Sequence, residues 1–184
     1  MDQNLEMNKK KFFSKILLFG EYGVIKNSKA LVIPYKKYYG SLKFSSKLDN
    51  VQKSSNINLK KLSNYIKSNE FVSNKINTLK LDSDIENGLY FESTIPESYG
   101  LGSSGAVVAA IYESYKQEVG VDLEINDLKL ILSNIESFFH GQSSGIDPLS
   151  SYVQKPLLVE SKNSINTIDI PPQNTNSKRI LFLL

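Results

Sequence analysis

The sequence predicts one compact domain that mixes short strands with helices, and three observations carry that expectation. At 184 residues the chain suits a single domain and is long enough to bury a core of its own. Hydrophobic residues make up 40% and charged residues 22%, the balance of an ordinary folded protein and not of a disordered one. The apolar residues fall partly in short strand-like runs and partly at helical spacing.

Taken in order, Phe13–Phe19 and Leu31–Pro34 read as strands with Gly20–Ala30 turning between them, and Tyr38–Phe44 alternates as a third strand. Lys47–Asn56, rich in serine and asparagine, reads as a polar loop. Leu59–Asn69 has helical spacing through Leu62, Tyr65 and Ile66. Ile76–Leu81 and Gly88–Thr94 read as strands on either side of the turn residues Asp82–Asn87. Ser104–Val119 reads as a helix. A second starts at Asn126 or Asp122, with Leu128, Ile131, Leu132, Ile135, Phe138 and Phe139 on one face. The aromatic pair Phe138 and Phe139 is expected in the core. After Gly141–Gly145 a short helical turn is expected, then strand-like YVQKPLLVE and SINTIDI. The last run, KRILFLL, reads as an apolar strand that stops. Domains rarely finish inside such a run, so the sequence predicts that the chain continues past Leu184. No internal repeat and no clear linker divides the chain.

Composition narrows the function classes. With no cysteine, disulfides and thiolate metal sites are excluded. A net charge of +3 is too small to argue for nucleic acid. Arg179 is the only arginine, so a phosphate grip would have to use backbone amides and lysine. MNKKKFFSKILLFGEYGVI mimics a secretory signal. Its apolar core, however, runs only from Ile16 to Phe19, short of the roughly 7–15 residues such a signal needs, and no small-residue cleavage site follows. No stretch has the length of a membrane span, and a cytoplasmic protein is expected.

The densest cluster of small residues is IPESYGLGSSGAVVAAIYESY, where Gly100, Gly102 and Gly105 spell GxGxxG at the start of an apolar helix. A dinucleotide-binding reading fails on context, because Asp122 and Glu124 lie between two helices and not at the end of a second strand. A Walker loop fails for want of Gly-Lys-Ser/Thr. The physical reading survives both. A helix N-terminus offers unpaired amides and a positive dipole end, glycines let the backbone approach an anion closely, and serine hydroxyls can donate to a phosphate or ligate a metal. The bland alternative is an N-cap by Ser103 or Ser104 with glycine turns before it.

PESYGLGSSGA resembles the phosphate-binding motif of the GHMP kinases, close to P-x-x-x-G-L-G-S-S-A. KILLFGEYGVI resembles that family's first motif, and HGQSSGID resembles the His-Gly-x-x-Ser-Gly-Ile/Val-Asp signature of its mevalonate kinase branch. The three motifs stand in family order from Lys15 to about Ser151. The resemblance implies an α+β domain with a mainly antiparallel sheet backed by helices, of the kind shared with domain 2 of ribosomal protein S5. It further implies that residues 12–184 are the N-terminal ATP-binding domain, that 1–11 are flexible, and that a C-terminal domain lies beyond this chain.

The same resemblance implies an enzyme that moves the γ-phosphoryl group of ATP to an alcohol with Mg²⁺. Mevalonate is the leading acceptor, with phosphomevalonate, homoserine or a sugar as alternatives. Gly100, Leu101, Gly102, Ser103, Ser104 and Gly105 would cradle the nucleotide, with Ser104 and Glu136 on the metal. Asp147 would accept the alcohol proton, with Lys15 as its partner. Glu21, His140, Ser144 and Gly145 would fall to the acceptor. Read without the resemblance, Glu136 is a solvated glutamate, Asp147 caps the turn at Pro148, and Lys15 faces solvent. His140, the single histidine, is not the base. Tyr38 and Tyr39 are considered for flanking the nucleotide base.

The sequence departs from the family's pattern in three places. Gly105 replaces the usual alanine, a change that slightly weakens the helix start. GEYGVI replaces the commoner Gly-Glu-His-Ala-Val. The family's third glycine-rich motif does not occur in these residues, so residues 1–184 alone are expected not to turn over. The rivals are a nucleotide-binding regulator that kept the fold without the chemistry, and an interaction module without ligand. A homodimer is allowed; nucleic-acid and membrane partners are not expected.

Overall fold

The computed structural model describes residues 10–20, 29–117, 123–161 and 164–169. The 15-residue strand β2 (Ala30–Phe44) organises the sheet, with β1 (Phe12–Phe19) along one side of it. On the other side β3 (Leu89–Ser93) pairs with Gly40–Phe44 and β4 (Leu157–Ser161) with Ala30–Val32, while β5 (Ser164–Thr167) extends β4. Every one of these pairings is antiparallel, which bears out the expected α+β class.

The two separate strands expected at Leu31–Pro34 and Tyr38–Phe44 are one strand with an irregularity. Phe13 pairs with Tyr39 and the next residue, Ser14, with Tyr35, so Lys36, Lys37 and Tyr38 are extra on β2. Pro34 is tolerated inside this strand because it lies between the stretches that β4 and β3 occupy. There β2 has β1 alone beside it among the described residues, and a missing amide costs no second ladder.

Two readings of the polar middle of the chain are overturned. Lys47–Asn56 is a loop only at its start; helix α1 spans Asn50–Ser68. Its signal is a capping box: the Asp49 carboxylate accepts from the Gln52 amide at 2.9 Å, and the Gln52 side chain accepts from the Asp49 amide at 3.0 Å. Its buried residues Leu59, Leu62, Ser63 and Ile66 follow the i, i+3, i+4, i+7 stripe of a helix with one buried face. Asn69 ends α1 and caps the short helix α2 (Glu70–Ser73).

Ile76–Leu81 is not a strand either. Ile76 makes one isolated bridge to Lys116, then Asn77 caps helix α3 (Thr78–Glu86) by accepting from the Lys80 amide at 3.0 Å. A strand would put Leu79 and Leu81 on one face; the structure leaves Leu79 82% exposed and Leu81 at 0%.

Helix α4 (Ser103–Tyr115) is apolar on nearly every side and runs through the core, packed on β1 and β2. It ends at Tyr115, short of the expected Val119, which lies outside the described residues. Helix α5 (Ile125–His140) buries Leu128, Ile131, Leu132 and Ile135 as its spacing predicts. Phe138 packs against the core, but Phe139 is 37% exposed, contrary to its expected place. Helix α6 (Ile146–Val153) lies across α4 and β1. The closing run KRILFLL and most of the Gly20–Ala30 turn fall outside the described residues. Among the described residues no helix is long and apolar enough to cross a membrane.

Candidate active site

The glycine-rich segment is an exposed loop whose backbone is left-handed at Ser98, Gly100 and Gly102. Gly102, at φ 78°, is the N-cap of α4, and no side chain caps the helix. This overturns the serine-cap reading. The first ladder bond runs from the Ala106 amide to the Gly102 carbonyl at 3.1 Å, so the amides of Ser103, Ser104 and Gly105 lack intrahelical partners. A Cβ at Gly100 would meet open space, whereas one at Gly102 would come within 3.1 Å of Lys15 Cγ and 3.5 Å of Asp147 Oδ2. The loop therefore lies directly on those two side chains.

Lys15 reaches this place from β1. Its amide donates to the Leu101 carbonyl at 3.0 Å, tying the strand to the loop. Its Nζ lies 3.1 Å from Asp147 Oδ1, with the two side chains 12% and 32% exposed. Lys15 is thus paired and mostly covered, against the solvent-facing alternative. Asp147 stands in the first turn of α6, which Gly145 begins at φ 75°, so the turn-capping alternative for Asp147 also fails. Gly105 has more than a propensity effect. A Cβ there would sit 2.7 Å from both the Asp147 carbonyl carbon and the Pro148 nitrogen, so glycine is what lets α6 close on α4.

Glu136 is 3% exposed, not solvated. The Ser104 hydroxyl donates to its Oε1 at 3.0 Å and the Ser143 hydroxyl donates to its Oε2. Burial, together with the nearby charge of Asp147, raises the Glu136 pKa, although both serines and His140 oppose the shift. A carboxylate only accepts, so the Ser104 proton is committed to it. His140 Nε2, 3.0 Å from the Ser104 hydroxyl oxygen, then fits as the donor to that oxygen. Ser143 was not singled out in the sequence; its neighbour Ser144 was. The Ser144 hydroxyl accepts from the Ile146 amide at 3.4 Å, a local turn contact.

A cavity of about 700 Å³ opens beside the loop, walled by Gly100–Ser104, His140, Asp147, Phe139 and residues of α1 and β3. Phe139 is part of this wall, which accounts for its exposure. Ser144 and Gly145 do not line it, and Glu21 lies outside the described residues. Tyr38 and Tyr39 do not line it either: Tyr38 packs edge-on against Tyr35 at 5.8 Å and Tyr39 against Phe13 at 6.4 Å. A larger groove of about 920 Å³ lies along another side of α1 beside Lys53, Lys60 and Lys61, and none of the motif residues line it.

Among the described residues, no three histidine, cysteine, aspartate or glutamate side chains stand together as a metal cage. Ser104 and Glu136 instead offer one hydroxyl and one carboxylate side by side. That set fits Mg²⁺, which takes few protein oxygens and completes its shell with water and phosphate. The buried Glu136 has no lysine or arginine within ion-pair distance among the described residues, so a cation would complement it.

The family model of the GHMP kinases N terminal domain matches residues 64–155, half of the chain. In solved structures the fold is similar to the mevalonate kinase of Methanococcus jannaschii, with TM-score 0.55 and 18% identity over 87% of this chain and 55% of that one. It is also similar to L. major mevalonate kinase in complex with R-mevalonate, with TM-score 0.54 and 16% identity over 87% of this chain and 52% of that one. The chain spans about half the length of these enzymes. At such identities the likeness is one of fold. No curated protein sequence matches. The match over half its length, in the fold that family uses, makes this chain a member of the GHMP kinases that carries their N-terminal domain.

Proposed function

We propose that this chain is the nucleotide-binding part of an ATP-dependent kinase that phosphorylates a small alcohol, with mevalonate as the acceptor. The observation that carries the proposal is the Lys15–Asp147 pair, 3.1 Å apart and directly against the backbone of Gly102. A lysine-held carboxylate beside helix amides that lack intrahelical partners brings a proton acceptor and an anion site together, as phosphoryl transfer to a hydroxyl uses them. The mevalonate assignment draws on the HGQSSGID signature and on the mevalonate kinases among the similar structures.

In this reading the amides of Ser103, Ser104 and Gly105 hold the phosphate oxygens, favoured by the positive end of α4. Ser104 and Glu136 hold Mg²⁺, which when bound neutralises charge on the phosphate oxygens. Lys15 fixes the direction of the Asp147 carboxylate. Asp147 takes the proton of the acceptor hydroxyl as that oxygen bonds to the γ-phosphorus. The bond from that phosphorus to the bridging oxygen breaks, and ADP leaves.

The test is ADP release by the complete protein supplied with mevalonate and MgATP. Asp147→Asn should lower turnover roughly 10²–10⁴-fold while nucleotide affinity stays within a factor of about two. Unchanged turnover would remove Asp147 from the role. Activity with a sugar or homoserine in place of mevalonate would reassign the acceptor and leave the chemistry standing.

A further inference from the structure

We propose that Ser143 is a positioning residue that orients the Glu136 carboxylate and locks it to the segment carrying Asp147, an inference that rests on the kinase reading above. Ser143 lies in the loop between α5 and α6. Its hydroxyl accepts from the Gly145 amide at 2.9 Å, and an amide N–H can only donate. The one hydroxyl proton is therefore free for Glu136 Oε2, which it meets. At its other end Ser143 is held too, because its carbonyl accepts from the Ser133 hydroxyl at 2.6 Å. The hydroxyl is thus oriented by the backbone before any ligand arrives.

This matters because the last torsion of a glutamate is broad, and packing alone sets it poorly. In this site the two oxygens are held differently. Oε2 is held by Ser143, and Oε1 faces Ser104, 3.0 Å away at the head of α4. Without Ser143 the buried carboxylate would keep one hydroxyl partner and lose the contact that sets its plane. Gly145, which begins the helix bearing Asp147, would lose the acceptor of its amide at the same time. One hydroxyl thus links the carboxylate proposed for the metal to the one proposed as base. The second motif residue Ser104 is drawn in through Glu136. Outer partners of metal-ligating carboxylates typically matter about 10–100-fold in metal affinity.

The test uses the complete protein and ADP binding by calorimetry across a Mg²⁺ series, beside melting temperatures. In Ser143→Ala the Mg²⁺ concentration that half-restores tight ADP binding should rise about 10–100-fold, with metal-free ADP affinity unchanged. Ser143→Thr, which keeps the hydroxyl, should restore the wild-type midpoint. A wild-type midpoint in Ser143→Ala overturns the proposal, as does a Ser143→Thr variant that is equally impaired at the same melting temperature. Should Ser143→Ala fail to fold, Ser143→Cys carries the test. It keeps the volume with a weaker donor, and a shifted midpoint supports the role while an unshifted one overturns it. Failure of the kinase reading shows in the wild type alone, as ADP binding indifferent to Mg²⁺, and the proposal then falls with it.

Discussion

At the scale of single residues the site is governed by close approach. Gly105 is the sharpest case, with α6 backbone 2.7 Å from where its Cβ would lie. Backbone atoms cannot turn aside as a flexible side chain can. Gly105→Ala should therefore destabilise the protein by about 1–3 kcal/mol in urea unfolding, despite alanine's better helix propensity. It should also lower turnover by moving Asp147 relative to Lys15. Equal stability would mean that α6 shifts freely on α4. The environment of Glu136 could not be read in the sequence. An acid near the end of a helix is ordinary on a surface, and only the fold brings Ser104 and Ser143 onto its two oxygens. Ser143 and Ser144 are likewise the same residue type side by side. Backbone direction alone decides that the first meets Glu136 and the second turns to Ile146.

At the scale of elements, strong apolar periodicity is legible in the sequence and polar punctuation is ambiguous. The strand about Phe13–Phe19, the core helix after Gly102 and the face of α5 through Ile135 all follow from spacing. The start of α1 was hidden by serines and asparagines, although Asp49 and Gln52 stood at capping-box spacing. Helix α3 was hidden because Ile76–Leu81 is short and apolar, with Asn77 reading equally well as a turn residue or a cap. The corrected register makes a paired prediction for chemical unfolding. Leu81→Ala should cost about 2–5 kcal/mol as a buried leucine, and Leu79→Ala should stay within about 0.5 kcal/mol of wild type. Equal losses at the two positions would restore the strand reading. Of the site, the glycine loop and the Lys15–Asp147 couple were visible only as motifs; their adjacency is a product of β1, α4 and α6 packing together.

At the scale of the whole molecule, carboxylates tied to lysines set the response to acid. Glu113 is partly buried, which pushes its pKa up, but hydrogen bonds from Lys10 and Lys116 outweigh this and hold it below its usual value. Asp82 is likewise lowered by Lys67 and Ser63 against its own burial. A carboxylate with a depressed folded pKa binds protons more readily when unfolded. Its contribution is present above the unfolded value of about 4 and is lost as pH falls through the folded one. Melting temperature should therefore hold steady from pH 7 to about pH 5 and fall below about pH 4, and Glu113→Gln should flatten that fall. Tyr115 acts at the other end of the scale. Burial and its hydrogen bond to Asp84 at 2.8 Å raise its pKa, so the stability it contributes is lost only as pH rises past about 10.

Two concave regions lie on different sides of α1, the cavity at the glycine loop and the lysine-lined groove, and the proposed nucleotide site is the first although the second is larger. Hydrogen exchange of the complete protein with and without MgATP tests that assignment most directly. Slowed exchange concentrated in the peptide covering residues 96–106 is the predicted result, since amides bonded to phosphate oxygens no longer exchange freely. Protection along residues 45–64 with the glycine loop unchanged would contradict it.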